Sequence, residues 1–184
     1  MILGMSTFTF THVLISLAGI GSGLIVAYGL LSSRPFDGWT IVFFATTFAT
    51  AVTGFLFPIH GFTPAIGVGI LTTIALTAAV LARYRFALRP GWRWLYVVGA
   101  IVSLYFNVFV LVVQAFEKIA PLNAMAPTQS APPFVLAQAV VLLCFIALGI
   151  FAVCRFDPAV VALRKRRNME TESALVKRLY SFRR

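Results

Sequence analysis

Leu95-Tyr96-Val97-Val98-Gly99-Ala100-Ile101-Val102-Ser103-Leu104-Tyr105-Phe106-Asn107-Val108-Phe109-Val110-Leu111-Val112-Val113-Gln114-Ala115-Phe116 contains no Asp, Glu, Lys or Arg, and is closed by Arg93 on one side and Glu117-Lys118 on the other. At about 1.5 Å of rise per residue, a helix of this length crosses a hydrocarbon core of about 30 Å. Four other apolar runs repeat the pattern, over residues 10–31, 39–57, 65–82 and 134–153. The expected fold is therefore all-α, a five-helix transmembrane bundle.

Composition agrees. Of 184 residues, 60% are hydrophobic and 11% charged, whereas a soluble domain carries about a quarter charged residues. The net charge of +10 does not point to nucleic acid, because the cations flank apolar spans and are not gathered on a soluble module with reading side chains. Cys144 and Cys154 share the last span, which excludes a disulfide framework; both are expected to pack as small hydrophobes.

The breaks between the runs differ in chemistry. Residues 32–38 and 58–64 are rich in Ser, Pro and Gly and read as short turns. Residues 83–93 carry four arginines, and residues 117–133 carry four prolines that favour extended or turn backbone. With five spans, alternate connections fall on opposite sides. One side then collects Arg34, Arg83, Arg85, Arg89, Arg93 and nine cations of the tail, so that fourteen of the fifteen Lys and Arg lie there, and Lys118 alone lies on the other. The positive-inside rule makes the first side cytoplasmic, with the N-terminus out and the C-terminus in. Trp39, Trp92 and Trp94 fall at that same interface. The first span has no preceding positive charge and exceeds a signal-peptide core, and it reads as a retained helix.

Residues 1–154 thus form the membrane domain and residues 155–184 a basic cytoplasmic tail. Asp157-Pro158 is a helix-start signal. Leu175, Val176, Leu179 and Phe182 recur at helical spacing among cations, as in an amphipathic helix on an anionic membrane surface. Arg164, Lys165, Arg166 and Arg167 are the expected contacts with anionic lipid. A basic tail that is simply solvated fits the same residues.

Within the spans, Ser16, Gly19, Gly23 and Ala27 form a small-residue stripe that suits close helix packing, within the chain or against a second copy. Ser103, Asn107, Gln114 and Glu117 lie on one face of the fourth span, and Thr46, Thr50 and Thr53 on one face of the second. Thr53, Asn107, Gln114, Glu117 and Gln138 are the candidate lining of a polar pocket in the periplasmic half. The plainer alternative is that they only hydrogen-bond between helices. His12 and His60, the two histidines of the chain, are candidate cofactor ligands, since paired imidazoles can hold the iron of haem b. No metal site is expected, because Glu117 is the one further ligand in reach. The spans hold no ionisable residue in their middle, which argues against an ion-coupled pump. No Walker loop, Gly-x-Ser-x-Gly, His-Glu-x-x-His or paired-carboxylate motif is present, so the sequence leans away from an enzyme.

The segments Thr50-Ala51-Val52-Thr53-Gly54-Phe55-Leu56-Phe57-Pro58 and Ala126-Pro127-Thr128-Gln129-Ser130-Ala131-Pro132-Pro133-Phe134, with Trp92-Arg93-Trp94 between them, resemble a group of small bacterial inner-membrane proteins. That resemblance implies the bacterial plasma membrane, multi-pass, and brings no activity with it. The reading is an accessory or ligand-binding membrane protein, ahead of a small-solute transporter or channel, with a haem- or quinone-binding redox protein third. Expected partners are the bilayer and its anionic lipids, with a second copy or a membrane complex both open.

Overall fold

The computed structural model describes residues 6–34, 36–57, 64–89 and 91–181, with side chains to residue 174. His60, the turn over 58–63 and Phe182 lie outside the described residues, as do the side chains of Leu175, Val176 and Leu179. The described chain is all-helical: α1 (Thr7–Ser32), α2 (Asp37–Phe55), α3 (Pro64–Val80), α4 (Trp92–Lys118), α5 (Ala120–Met125), α6 (Pro132–Arg155) and α7 (Pro158–Ser181). α3 runs on into one π-helical turn, Leu81–Arg85. Five helices, namely α1, α2, α3 with its π turn, α4 and α6, are long and apolar enough to cross a membrane.

α4 is the hub. It packs on α1, α3 and α6, and 44% of its most apolar window is buried against 11% for α6. The α3–α4 crossing is close because both faces are small. A methyl group on Gly99 would lie 2.6 Å from the Ala75 carbonyl oxygen and 3.0 Å from the Ala79 methyl. The small stripe of α1 is used within the chain: a Cβ at Gly23 would meet Leu104 of α4 at 2.6 Å and Phe43 of α2 at 2.9 Å.

Burial is uneven along the bundle. Val26, Leu30, Phe43, Leu76, Ala79, Tyr96, Val97, Leu104, Ala152 and Phe156 form one core, and all of it lies in the half that ends at the arginine-rich connection. α6 is the least covered span, and Cys144 and Cys154, expected to pack, sit on its exposed face.

The connection over 117–133 is more ordered than its prolines suggest. Pro121 stands in the first turn of α5 and Pro132-Pro133 in the first turn of α6. A proline there gives up an N–H that has no intrahelical acceptor in any case, so it starts helices as readily as it breaks them. On the opposite side, Ala87 and Leu88 have φ of 50° and 54°, and the ring of Phe86 stacks on Trp92 at 3.6 Å.

The crossing at Gly99 yields a direct test. Gly99→Ala forces the α3 and α4 backbones apart and should cost about 1–3 kcal/mol, the usual range for overpacking. Gly21→Ala, at a position with open space around it, should leave stability unchanged. Thermal unfolding of both variants in neutral detergent checks this.

Candidate functional site

The polar groups singled out along the spans are met by separate partners or by their own helix and do not all converge on one another. His12 Nδ1 lies 2.7 Å from Thr53 Oγ1, across α1 and α2. The Thr53 hydroxyl proton is directed at backbone carbonyls of its own helix, 2.7 Å from Ala49 O. Thr53 therefore accepts from His12, whose Nδ1 carries the proton of this contact. The Phe57 ring meets the imidazole edge-on at 5.2 Å.

One layer deeper, Asn107 of α4 donates to Thr47 Oγ1 of α2 at 3.1 Å. This contact sits opposite Gly19, where an added Cβ would be 3.3 Å from Thr46 Oγ1 and 3.4 Å from Asn107 Nδ2. The missing side chain of Gly19 is what lets the two helices bring their polar groups together beside α1. Gln138 of α6 donates to the Phe109 carbonyl of α4 at 3.1 Å, and its own Oε1 is, among the described residues, the buried side-chain acceptor without a partner. Glu117 accepts from Gln129 at 2.9 Å, tying the proline-rich connection to the end of α4. Gln114, one turn before Glu117, is exposed.

Threonines 46, 50 and 53 do not reach across the bundle with their protons. Each donates to the carbonyl four residues back, at 2.7, 2.8 and 2.7 Å. This is the local bond by which a hydroxyl is satisfied in an apolar medium.

The densest polar cluster lies at the other end and centres on Asp37, in the first turn of α2. Arg83 Nη2 donates to Asp37 Oδ1, and Arg83 Nη1 donates to Tyr96 Oη of α4 at 2.9 Å. Lys165 of α7 donates to Asp37 Oδ2 at 2.8 Å. Arg83 lies within the π turn, where the wider winding changes side-chain directions relative to α3. Exposure separates the two arms. The Arg83 side chain is 15% exposed and lies over the ring of the buried Tyr96, whereas Lys165 is 58% exposed.

Beside this clasp α7 is fixed by its own start. Ser33, in the left-handed conformation at the end of α1, donates to the Arg155 carbonyl and accepts from the Asp157 amide, both at 2.9 Å. Asp157 Oδ1 accepts from the Ala159 amide at 2.8 Å and caps α7. Arg93 donates to the Phe156 carbonyl at 2.6 Å. Sequence reasoning missed this cluster. The signal was Asp37 itself, the one carboxylate on the cation-rich side ahead of Asp157.

Five long apolar helices with a charged cluster at one end define a chain compatible with a membrane protein. No family model matches it, and no match was found among curated proteins or solved structures.

The Asn107–Thr47 contact is open to a double-mutant cycle. Asn107→Leu and Thr47→Val should each cost about 0.6 kcal/mol, and no more than about 1.7, the range for hydrogen bonds between helices in lipid. The double variant should cost little more than either single one, and Gln114→Leu should be neutral. Equilibrium unfolding in mixed micelles measures all four.

Proposed function

We propose that the chain is a five-span protein of the bacterial inner membrane, N-terminus in the periplasm and tail in the cytoplasm, acting as an accessory or ligand-binding protein that presents a docked basic helix at the cytoplasmic leaflet. The observation that carries this reading is the two-armed engagement of Asp37 by Arg83 and Lys165. It joins α2, the end of α3 and α7, so the tail helix leaves the bundle in a set direction.

Charge supports the orientation. Fourteen of the fifteen Lys and Arg lie on the Asp37 side, and cytoplasmic connections keep such residues. The clasp supports the role, because a tail needed only to satisfy the positive-inside rule gains nothing from a cap, a paired carboxylate and two backbone ties. On this reading the periplasmic half holds its helices together through the His12–Thr53 and Gln138–Phe109 contacts.

Alkaline phosphatase fused after Lys118 should be active, and fused after Arg89 or Arg167 inactive, because only the first reaches the periplasm. Activity at Arg167 would overturn the orientation.

The clasp is tested separately. Lys165→Gln and Asp37→Asn should both speed cleavage after Glu170 or Glu172 by a glutamate-specific protease in neutral detergent. A partly exposed ion pair is worth at most about 1 kcal/mol, so the gain should be about fivefold. Unchanged rates in both variants would mean that Asp37 does not hold the helix.

A further inference from the structure

The four cations Arg164-Lys165-Arg166-Arg167 do not face the same way once α7 is docked. Lys165 is committed to Asp37. Arg164 and Arg167, three residues apart and so on one face of the helix, turn with Asn168 toward the connection between α1 and α2. There they line, with Arg34 and Phe36, a notch of about 460 Å³.

The notch is built by contacts already in place. Ser33 ties the α1 end to the start of α7, which sets Arg34, the next residue, opposite Arg164 and Arg167. The Arg34 guanidinium lies over the Tyr28 ring, 5.8 Å from its centre. Phe36 packs so closely on α1 that a Cβ at Gly29 would be 2.7 Å from its ring. One wall of the notch is thus a fixed aromatic.

Three arginines line one notch, and the carboxylates near them in the chain are engaged elsewhere or exposed. Both oxygens of Asp37 are engaged by Arg83 and Lys165. Asp157 is turned to the α7 amide of Ala159. Glu170, one turn beyond Arg167, is exposed, and among the described residues the two ion pairs both belong to Asp37. An anion would offset this concentration of positive charge. Arginine forks suit a tetrahedral oxyanion that accepts several hydrogen bonds, and the Asn168 amide can add a neutral donor.

We propose that Arg34, Arg164, Arg167 and Asn168 form a binding site for a phosphate group. The site deepens the proposed function, since it gives the docked helix a ligand, and it rests on the docking of α7. The phosphate belongs either to an anionic phospholipid of the cytoplasmic leaflet or to a small soluble phosphate ester. The same four residues serve both, because the oxyanion is what they recognise. The notch lies at the cation-rich end, where the bundle meets the leaflet.

The test uses the full chain. Purified in neutral detergent, it is titrated with phosphatidylglycerol, with phosphatidylcholine, and with inorganic phosphate and glycerol 3-phosphate, and native mass spectrometry counts the molecules retained. One phosphatidylglycerol should be kept per chain in preference to phosphatidylcholine. Arg164→Gln with Arg167→Gln should weaken that binding roughly thirtyfold, the effect expected for two cations near an anionic headgroup. Arg89→Gln with Arg166→Gln removes the same charge outside the notch and should have little effect. Retention of glycerol 3-phosphate or inorganic phosphate with the same dependence on Arg164 and Arg167 assigns the site to a soluble ester. Equal losses in the two double variants would show attraction by net charge alone and overturn the site, as would failure to retain any phosphate-bearing probe. Because detergent has no sides, this result is independent of the phosphatase fusions, and a failed orientation is distinguishable from a failed site.

Discussion

A single carboxylate at the start of α2 holds the cation-rich end of the molecule together. Asp37 has two oxygens and gives one to Arg83 and one to Lys165. Arg83 passes the connection on to the buried Tyr96 hydroxyl, so α2, the π turn, α4 and α7 share one polar cluster. The two arms have different weight. A half-exposed lysine pair adds little free energy, whereas the guanidinium, mostly covered and lying over an aromatic ring, is a charge that needs its partner to stay where it is. The Arg83 arm therefore sets the position of the cluster, and the Lys165 arm sets which way α7 faces.

Packing follows the same division. At this end small residues allow close approach: Gly99 to the backbone of α3, Gly23 to the Phe43 and Leu104 side chains, Gly29 to the Phe36 ring. For helices in lipid, close approach of this kind drives association, because apolar surface gains nothing by leaving an apolar medium. Above Asn107 the continuous apolar core ends. There the helices meet through single polar contacts, His12 with Thr53, Gln138 with the Phe109 carbonyl, Glu117 with Gln129, beside ring contacts such as Phe116 with Phe134. The continuous core and the densest polar cluster thus share one end of the bundle.

How far the sequence discloses this depends on the range of the force involved. The five long helices are legible because a bilayer-length apolar run is a local property, and the observed limits differ from the expected ones by three residues or fewer. The helix over Ala120–Met125 was not legible, because prolines that open a helix and prolines that end one look alike in a string of four. The π turn left no mark in the sequence either; it carries Arg83, whose partner Asp37 lies 46 residues away in the chain. Among the polar groups, Thr46, Thr50 and Thr53 share a face as periodicity requires, yet their protons turn inward to their own helix. Periodicity tells which face a side chain is on and not which acceptor its proton finds.

The tail shows the same limit and what overcomes it. As sequence, Arg164-Lys165-Arg166-Arg167 is four equal charges. As the first turns of a helix whose start is fixed by Ser33 and Asp157, it is three different surfaces. Lys165 is held in the clasp, Arg164 and Arg167 line the notch with Arg34, and Arg166 is not part of its lining. The difference comes from rotation about one axis: at about 100° per residue, neighbours in the chain cannot share a face. Fixing one residue of the run fixes the task of the others, and the residue that is fixed is the one Asp37 holds. A carboxylate more than 120 residues away in the chain thereby decides which cations are left free to meet an anion.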